Sequence, residues 1–159
     1  KHAHQQQQAR ALGADVVIGT GATYRELTPL VGAESYQPEL GRPVLLGGAD
    51  VCFDCVGSDR SLDDALRFTR SRGSVILVGM PGIPQGVDWT AIWHKELVVR
   101  GAYLCDTPTF LRALELVAAR RGALESLAVA EFPLDRYKQA IDCALHTGRS
   151  GVFKTAFRP

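Results

Sequence analysis

The segment Ser74–Gly79 (SVILVG) constrains the fold more than any other. Its consecutive apolar residues leave no polar face for water, so it reads as a strand covered on both sides, as in a parallel sheet. Parallel strands need crossover connections, and helical patterns lie to either side of it. Asp50–Gly57 (DVCFDCVG) reads as a second apolar strand and Glu96–Tyr103 (ELVVRGAY) as a third. Between the first two, Ser61 is expected to cap a helix whose apolar positions Leu62, Ala65, Leu66 and Thr69 fall at helical spacing and which Gly73 ends. WTAIWHK forms a helical turn before the third strand.

The flanks continue the alternation. HQQQQARALG predicts a short surface helix closing at Gly13, followed by a brief strand Asp15–Ile18 (DVVI) and a weaker helix over 23–31. Residues 32–48, rich in proline and glycine, read as a long surface connection with at most one short element. Thr107 and Pro108 start a helix with Phe110, Leu111, Leu114, Val117 and Ala118 on one face, Arg120 and Arg121 in its last turn and Gly122 after it. A further helix, Asp135–His146, ends at Gly148 between short strands Leu127–Phe132 and Val152–Phe157. Strands and helices of these lengths imply an α/β, doubly wound parallel sheet.

Composition narrows the function classes. The 159 residues are 46% apolar and 22% charged, which suits one soluble globular domain. Eighteen basic against seventeen acidic residues leave a net charge of +1, without the basic face that nucleic acid requires. No apolar run approaches the roughly 20 residues that span a bilayer, so neither nucleic acid nor membrane is an expected partner and the expected location is cytoplasmic. Four irregularly spaced cysteines read as reduced thiols. Cys52 and Cys55 form a CxxC, but within a strand residues three apart face opposite ways. The structural reading is favoured there. His2, His4, His94 and His146 have no partner at ligand spacing, so no metal is assigned to this chain. No catalytic residue is assigned either.

Ordered phrases add a resemblance. ARALGAD (Ala9–Asp15), DVCFDCVG, GSVILVGMPG, DWTAIWHKELVVRGAY and FPLDRYKQAI followed by Gly148 and VFKTAF resemble, in order and spacing, the C-terminal half of zinc-type alcohol dehydrogenases of the medium-chain dehydrogenase/reductase family. The resemblance implies an incomplete Rossmann sheet, strands three to six. Residues 1–103 would be the rear of an NAD(P)-binding domain and 104–159 the segment returning to a catalytic domain. The chain opens on Lys1 in mid-helix, so its first residue reads as a cut, and no GxGxxG occurs in it. That turn normally anchors the cofactor pyrophosphate, so at most weak cofactor binding is expected of this chain. With the first two strands absent, Asp15–Ile18 lacks its neighbour, and poor stability or pairing with another chain is expected.

The resemblance also implies site residues. Backbone groups at Val78, Gly79, Ala102 and Leu104 would hold the nicotinamide carboxamide, and Val56 with Gly57 would cover the adenine. Lys154 would pair with the pyrophosphate, though a lone strand lysine is more often simply solvated. Lys1 and His2 would meet the adenosine ribose, where a basic pair favours the 2′-phosphate and gives a lean to NADP. Trp89, Ile92 and Trp93, in the region Asp88–Leu97, would contact another subunit in a homodimer or tetramer, or else pack internally. The parent enzyme would oxidise a small-molecule alcohol to a carbonyl by hydride transfer, with zinc bound outside this chain. Two alternatives stand beside this: a zinc-independent quinone or enone reductase of the same superfamily, and a non-catalytic nucleotide-binding or interaction module.

Overall fold

The computed structural model describes residues 2–19, 21, 23–40, 43–80, 82–127 and 129–158. The chain divides into two units, residues 22–104 and residues 1–21 with 105–159.

The first unit runs α2 (Thr23–Leu30), β1 (Glu34–Tyr36), β2 (Val44–Leu46), β3 (Ala49–Asp54), α3 (Asp59–Phe68), β4 (Thr69–Leu77), α4 (Thr90–His94) and β5 (Val98–Gly101), with α1 (Ala3–Ala11) preceding it in the other unit. Strands β3, β4 and β5 form a parallel sheet in that order, with Phe53 opposite Ile76 and Leu77 opposite Gly101. The expected long connection over 32–48 is instead an antiparallel pair, Glu34 opposite Leu46 and Tyr36 opposite Val44. Three-residue strands are too short to show a period of two, which is why the sequence pattern hides them.

Helix α3 supplies half of the buried core cluster. Leu62, Ala65 and Leu66 are buried with Val75, Ala91 and Leu97, and Cys52, Leu77, Val87, Ile92 and Val99 pack against them. Each fully buried Leu or Val contributes about 1.5–3 kcal/mol. The cap of this helix is Ser58 and not Ser61. Ser58 Oγ accepts from the Ser61 N–H at 3.1 Å and Ser61 Oγ accepts from the Ser58 N–H at 2.9 Å, a reciprocal box that lies one turn earlier than expected. The helix also ends before Gly73, because Thr69 turns to extended backbone and its hydroxyl donates to the Ala65 carbonyl at 2.7 Å. Gly73 lies inside β4, where a Cβ would collide with the Thr69 side chain and the Asp50 carbonyl. Tyr24 of α2 packs against Phe68 with its ring tilted by 59° and ring centres 4.7 Å apart.

The second unit contains α1, α5 (Thr107–Ala119), α6 (Arg121–Glu125), β6 (Val129–Pro133), α7 (Tyr137–Leu145), α8 (Thr147–Ser150) and β7 (Lys154–Arg158). A 3-10 turn over Leu134–Arg136 leads into α7. Strands β6 and β7 pair in parallel through the intervening helix, Val129 opposite Lys154 and Phe132 opposite Phe157. Asp106 caps α5, accepting from the Thr109 N–H at 2.9 Å. Its apolar positions Phe110, Leu111, Leu114 and Val117 are nevertheless exposed. Gly122 continues into α6 rather than stopping the chain, and Gly148 lies within α8, the left-handed Gly151 being the terminator.

The expected strand Asp15–Ile18 is not a strand. Its β-branched residues have the propensity, but a strand exists only with a ladder partner, and the neighbour that a complete doubly wound sheet would supply is not in this chain. The parallel sheet therefore consists of the strands expected as four, five and six. Among the described residues no helix is long and apolar enough to cross a membrane.

Candidate functional site

The carboxyl ends of β3, β4 and β5 lie side by side, the position where parallel α/β sheets bind ligands. This brings together the six expected site residues of the first unit: Val56, Gly57, Val78, Gly79, Ala102 and Leu104. Four of them, Val56, Gly57, Val78 and Gly79, are joined through Asp54, the last residue of β3, which is only 5% exposed. Its carboxylate Oδ1 accepts the N–H groups of Val56 and Gly57, both at 3.0 Å. Its backbone carbonyl accepts the N–H groups of Val78 at 2.9 Å and Gly79 at 2.8 Å. Ala102 donates its N–H to the Leu77 carbonyl at 2.8 Å.

Backbone geometry tightens the arrangement. Gly57 has φ +75°, which an L side chain rarely adopts. Gly79 lies so near the preceding loop that a Cβ would collide with the Val56 carbonyl carbon and the Gly57 nitrogen. Leu104, without being glycine, has φ +51°. Around these fixed turns Val56 is 69% exposed and Leu104 83% exposed, with Val78 exposed between them. The result is an apolar ledge over a backbone whose donors are internally engaged. What it offers a ligand is hydrocarbon surface from Val56, Val78 and Leu104.

Asp54 was not singled out in the sequence, where one acid in an apolar strand reads as incidental. The signal was available: an Asp two and three residues ahead of the N–H groups of a Val-Gly pair is the pattern of an Asx-turn.

Buried charge gathers where α3 meets β4. Arg67 Nε donates to Asp63 Oδ2 at 2.8 Å, Nη1 to the Pro43 carbonyl at 3.1 Å and Nη2 to Asp88 Oδ2 at 3.2 Å. Lys95, 3% exposed, donates from Nζ to the carbonyls of Arg67 at 2.6 Å and Thr69 at 2.9 Å. Burial pushes its ammonium down to about 8, with the Arg67 charge adding to the effect and Cys52 opposing it. Burial likewise pushes the Cys52 thiol up. Cys52 is half-buried within β3 and Cys55 exposed beyond it, and all four cysteines are free.

The segment expected at a subunit contact divides. Ala91, Lys95 and Leu97 are buried and Ile92 packs on the core, whereas Trp93 is 80% exposed and Trp89 half-exposed. Of the basic positions, Lys1 lies outside the described residues. In the second unit His2 caps α1, stacks on His4 with ring centres 5.7 Å apart and lies against Gly148. Lys154 is exposed at the start of β7. Among the described residues no three His, Cys, Asp or Glu come together as a metal donor set.

A family model described as zinc-binding dehydrogenase matches residues 1–119. L-threonine 3-dehydrogenase of Legionella pneumophila (strain Corby) is 27% identical over 150 residues, 93% of this chain and 40% of that protein. Sorbitol dehydrogenase 1 of Saccharomyces cerevisiae is 28% identical over 117 residues, 72% of this chain and 33% of that protein. The chain thus spans well under half the length of these relatives. The crystal structure of 2R,3R-butanediol dehydrogenase from Bacillus subtilis superposes with a TM-score of 0.76 at 21% identity, covering 100% of this chain and 42% of that one.

Proposed function

The chain belongs to the zinc-binding dehydrogenase family, and from that premise we propose that it is the cofactor-side portion of an NAD(P)-dependent alcohol dehydrogenase. The observation that carries this reading is the ledge at the three parallel strand ends, where the N–H groups of Val56, Gly57, Val78, Gly79 and Ala102 are engaged within the protein and the Val56, Val78 and Leu104 side chains are exposed. Residues 1–103 are assigned to the cofactor domain and 104–159 to the return into a catalytic domain. Val56 and Gly57 face the adenine, and the backbone of Val78, Gly79, Ala102 and Leu104 meets the nicotinamide carboxamide, whose amide hydrogens match carbonyl acceptors. Lys154 balances the pyrophosphate, and Lys1 with His2 gives the lean to NADP.

When bound, the nicotinamide supplies hydride acceptance from an alcohol carbon. The part of this chain is to orient the ring by main-chain contacts and to exclude water with Val56, Val78 and Leu104. The described residues do not fit a catalytic zinc, so no step is assigned to zinc here. The relatives named for threonine, sorbitol and butanediol support a small alcohol or its carbonyl as substrate. The exposed Trp93 supports a homodimer or tetramer through Asp88–Leu97, and the proposed location is the cytoplasm.

The test is a titration of the 159-residue chain, uniformly labelled with nitrogen-15, with NADP+ and NAD+ at millimolar concentration. Amide shifts at Val56, Gly57, Gly79 and Leu104 are expected, larger for NADP+ at equal concentration. Silence at all four positions with both nucleotides would overturn the reading.

A further inference from the structure

We propose that Asp54 is the positioning residue of the strand-end site, and that it governs the two halves of the ligand separately. Its side chain sets the Val56–Gly57 turn, while its backbone carbonyl sets the Val78–Gly79 turn. The inference rests on the dinucleotide reading above and names a residue that touches no ligand itself.

Position and chemistry both support the role. Asp54 closes β3, so its peptide is fixed by the parallel register with Leu77 of β4. Beyond it the chain must turn at once, because Ser58 caps α3 only four residues later. Within that turn the N–H groups of Val56 and Gly57 point back into the fold and need an acceptor. One carboxylate oxygen serves both, and hydrogen bonds to an ionised acceptor are roughly twice as strong as neutral ones. The Val56 side chain is thereby turned outward, and the Gly79 backbone lies against its peptide on the other side. With Oδ1 accepting two backbone donors inside the fold, Asp54 is not a proton shuttle for a substrate. Its influence passes through Val56 and Gly57.

Separating side chain from carbonyl makes the role testable, since a substitution removes the first and leaves the second. AMP serves as the probe for the adenine half and nicotinamide mononucleotide for the other, each titrated into the labelled 159-residue chain. For Asp54→Ala, AMP affinity is expected to fall at least about tenfold, as for a turn left with unsatisfied donors, while nicotinamide mononucleotide stays within about twofold. Amide exchange at Val56 and Gly57 should accelerate at the same time, without ligand. Asp54→Asn, which keeps Oδ1 but loses the charge, should lie between wild type and Asp54→Ala. It carries the same test if the alanine variant does not fold.

Equal AMP affinity in wild type and a folded variant overturns the proposal. So does a parallel loss of both probes, the signature of a merely structural residue. If the wild type shows no AMP response, the nucleotide reading fails, and Asp54 is judged by exchange alone. Faster exchange in the variant then upholds its hold on the turn, and unchanged exchange refutes it.

Discussion

Replacing Asp63 with alanine strands a buried guanidinium. Asp63 and Arg67 are both buried, one turn apart on α3, with Nε to Oδ2 at 2.8 Å. Asp63 also accepts the Asp88 N–H on Oδ1 at 3.0 Å, so a single carboxylate ties the helix to the segment ahead of α4. Among the described residues Arg67 keeps the Pro43 carbonyl and Asp88, whose own side chain is half-exposed and therefore a weaker countercharge. Breaking a buried pair from one side costs about 3–5 kcal/mol, because the surviving charge keeps its desolvation penalty without its partner. Against a whole-domain stability of about 5–15 kcal/mol this is a large share. Urea unfolding followed by the fluorescence of Trp89 and Trp93 measures it, since both tryptophans lie on the segment that Asp88 anchors. The decisive step is a double-mutant cycle with Arg67→Met. If the stranded charge is the cause, the double variant loses less than the sum of the singles by about 2 kcal/mol or more. Additive losses, or an Asp63→Ala cost below about 1 kcal/mol, would refute the reasoning.

Lys95 gives a pH dependence of known sign. Its ordinary value of 10.5 is lowered to about 8 in the folded chain, so between those values the unfolded state holds the extra proton and the contribution of this group to stability rises with pH. Below about 8 both states are protonated and the contribution is flat, at its least favourable. Urea midpoints measured across this window for wild type and Lys95→Met should differ in slope, the variant lacking the rise. Gly79→Ala is expected to lose about 1–3 kcal/mol, because its Cβ meets backbone rather than a yielding side chain; chemical denaturation with an amide spectrum showing Val56 and Gly57 displaced checks this. At Leu104, held at positive φ, thermal melting should rank Gly at or above Leu and place Val lower by about 1 kcal/mol, since β-branched residues resist that conformation.

Much of the core could be read in the sequence because burial leaves a pattern. Val75 is fully buried in the run that predicts a two-sided strand, and Leu62, Ala65 and Leu66 are buried at the predicted helical spacing. The errors have physical causes. Ser58 and Ser61 are both good caps, and their reciprocal bonds mean that either could be taken as the first residue. Thr69–Gly73 (TRSRG) is polar enough to look like a helix end and loop, yet β4 begins there, paired to β3 through Thr69 opposite Ala49. Asp15–Ile18 shows the converse, strand chemistry without a strand. The apolar stripe of α5 was legible as a face, but what would cover that face lies in no local pattern. At the site, the glycines and apolar residues at the strand ends were accessible from the order of phrases, whereas Asp54 depends on which hydrogen bond a turn lacks.

The engaged amides at the strand ends also bear on how a blocking compound would have to be built. Phosphate and carboxylate groups, the usual handles for nucleotide sites, gain nothing from N–H groups already facing Asp54 and Leu77. On the proposed reading, a compound aimed here brings its own donors, as a primary amide or an aminoheterocycle does, and presents a flat apolar edge to Val56 and Leu104, both exposed. The acceptors proposed there are main-chain atoms, which no single side-chain replacement removes. Escape from such a compound would have to come through residues that shape the turns, Asp54 and Gly79 first among them, at the expense of the site itself.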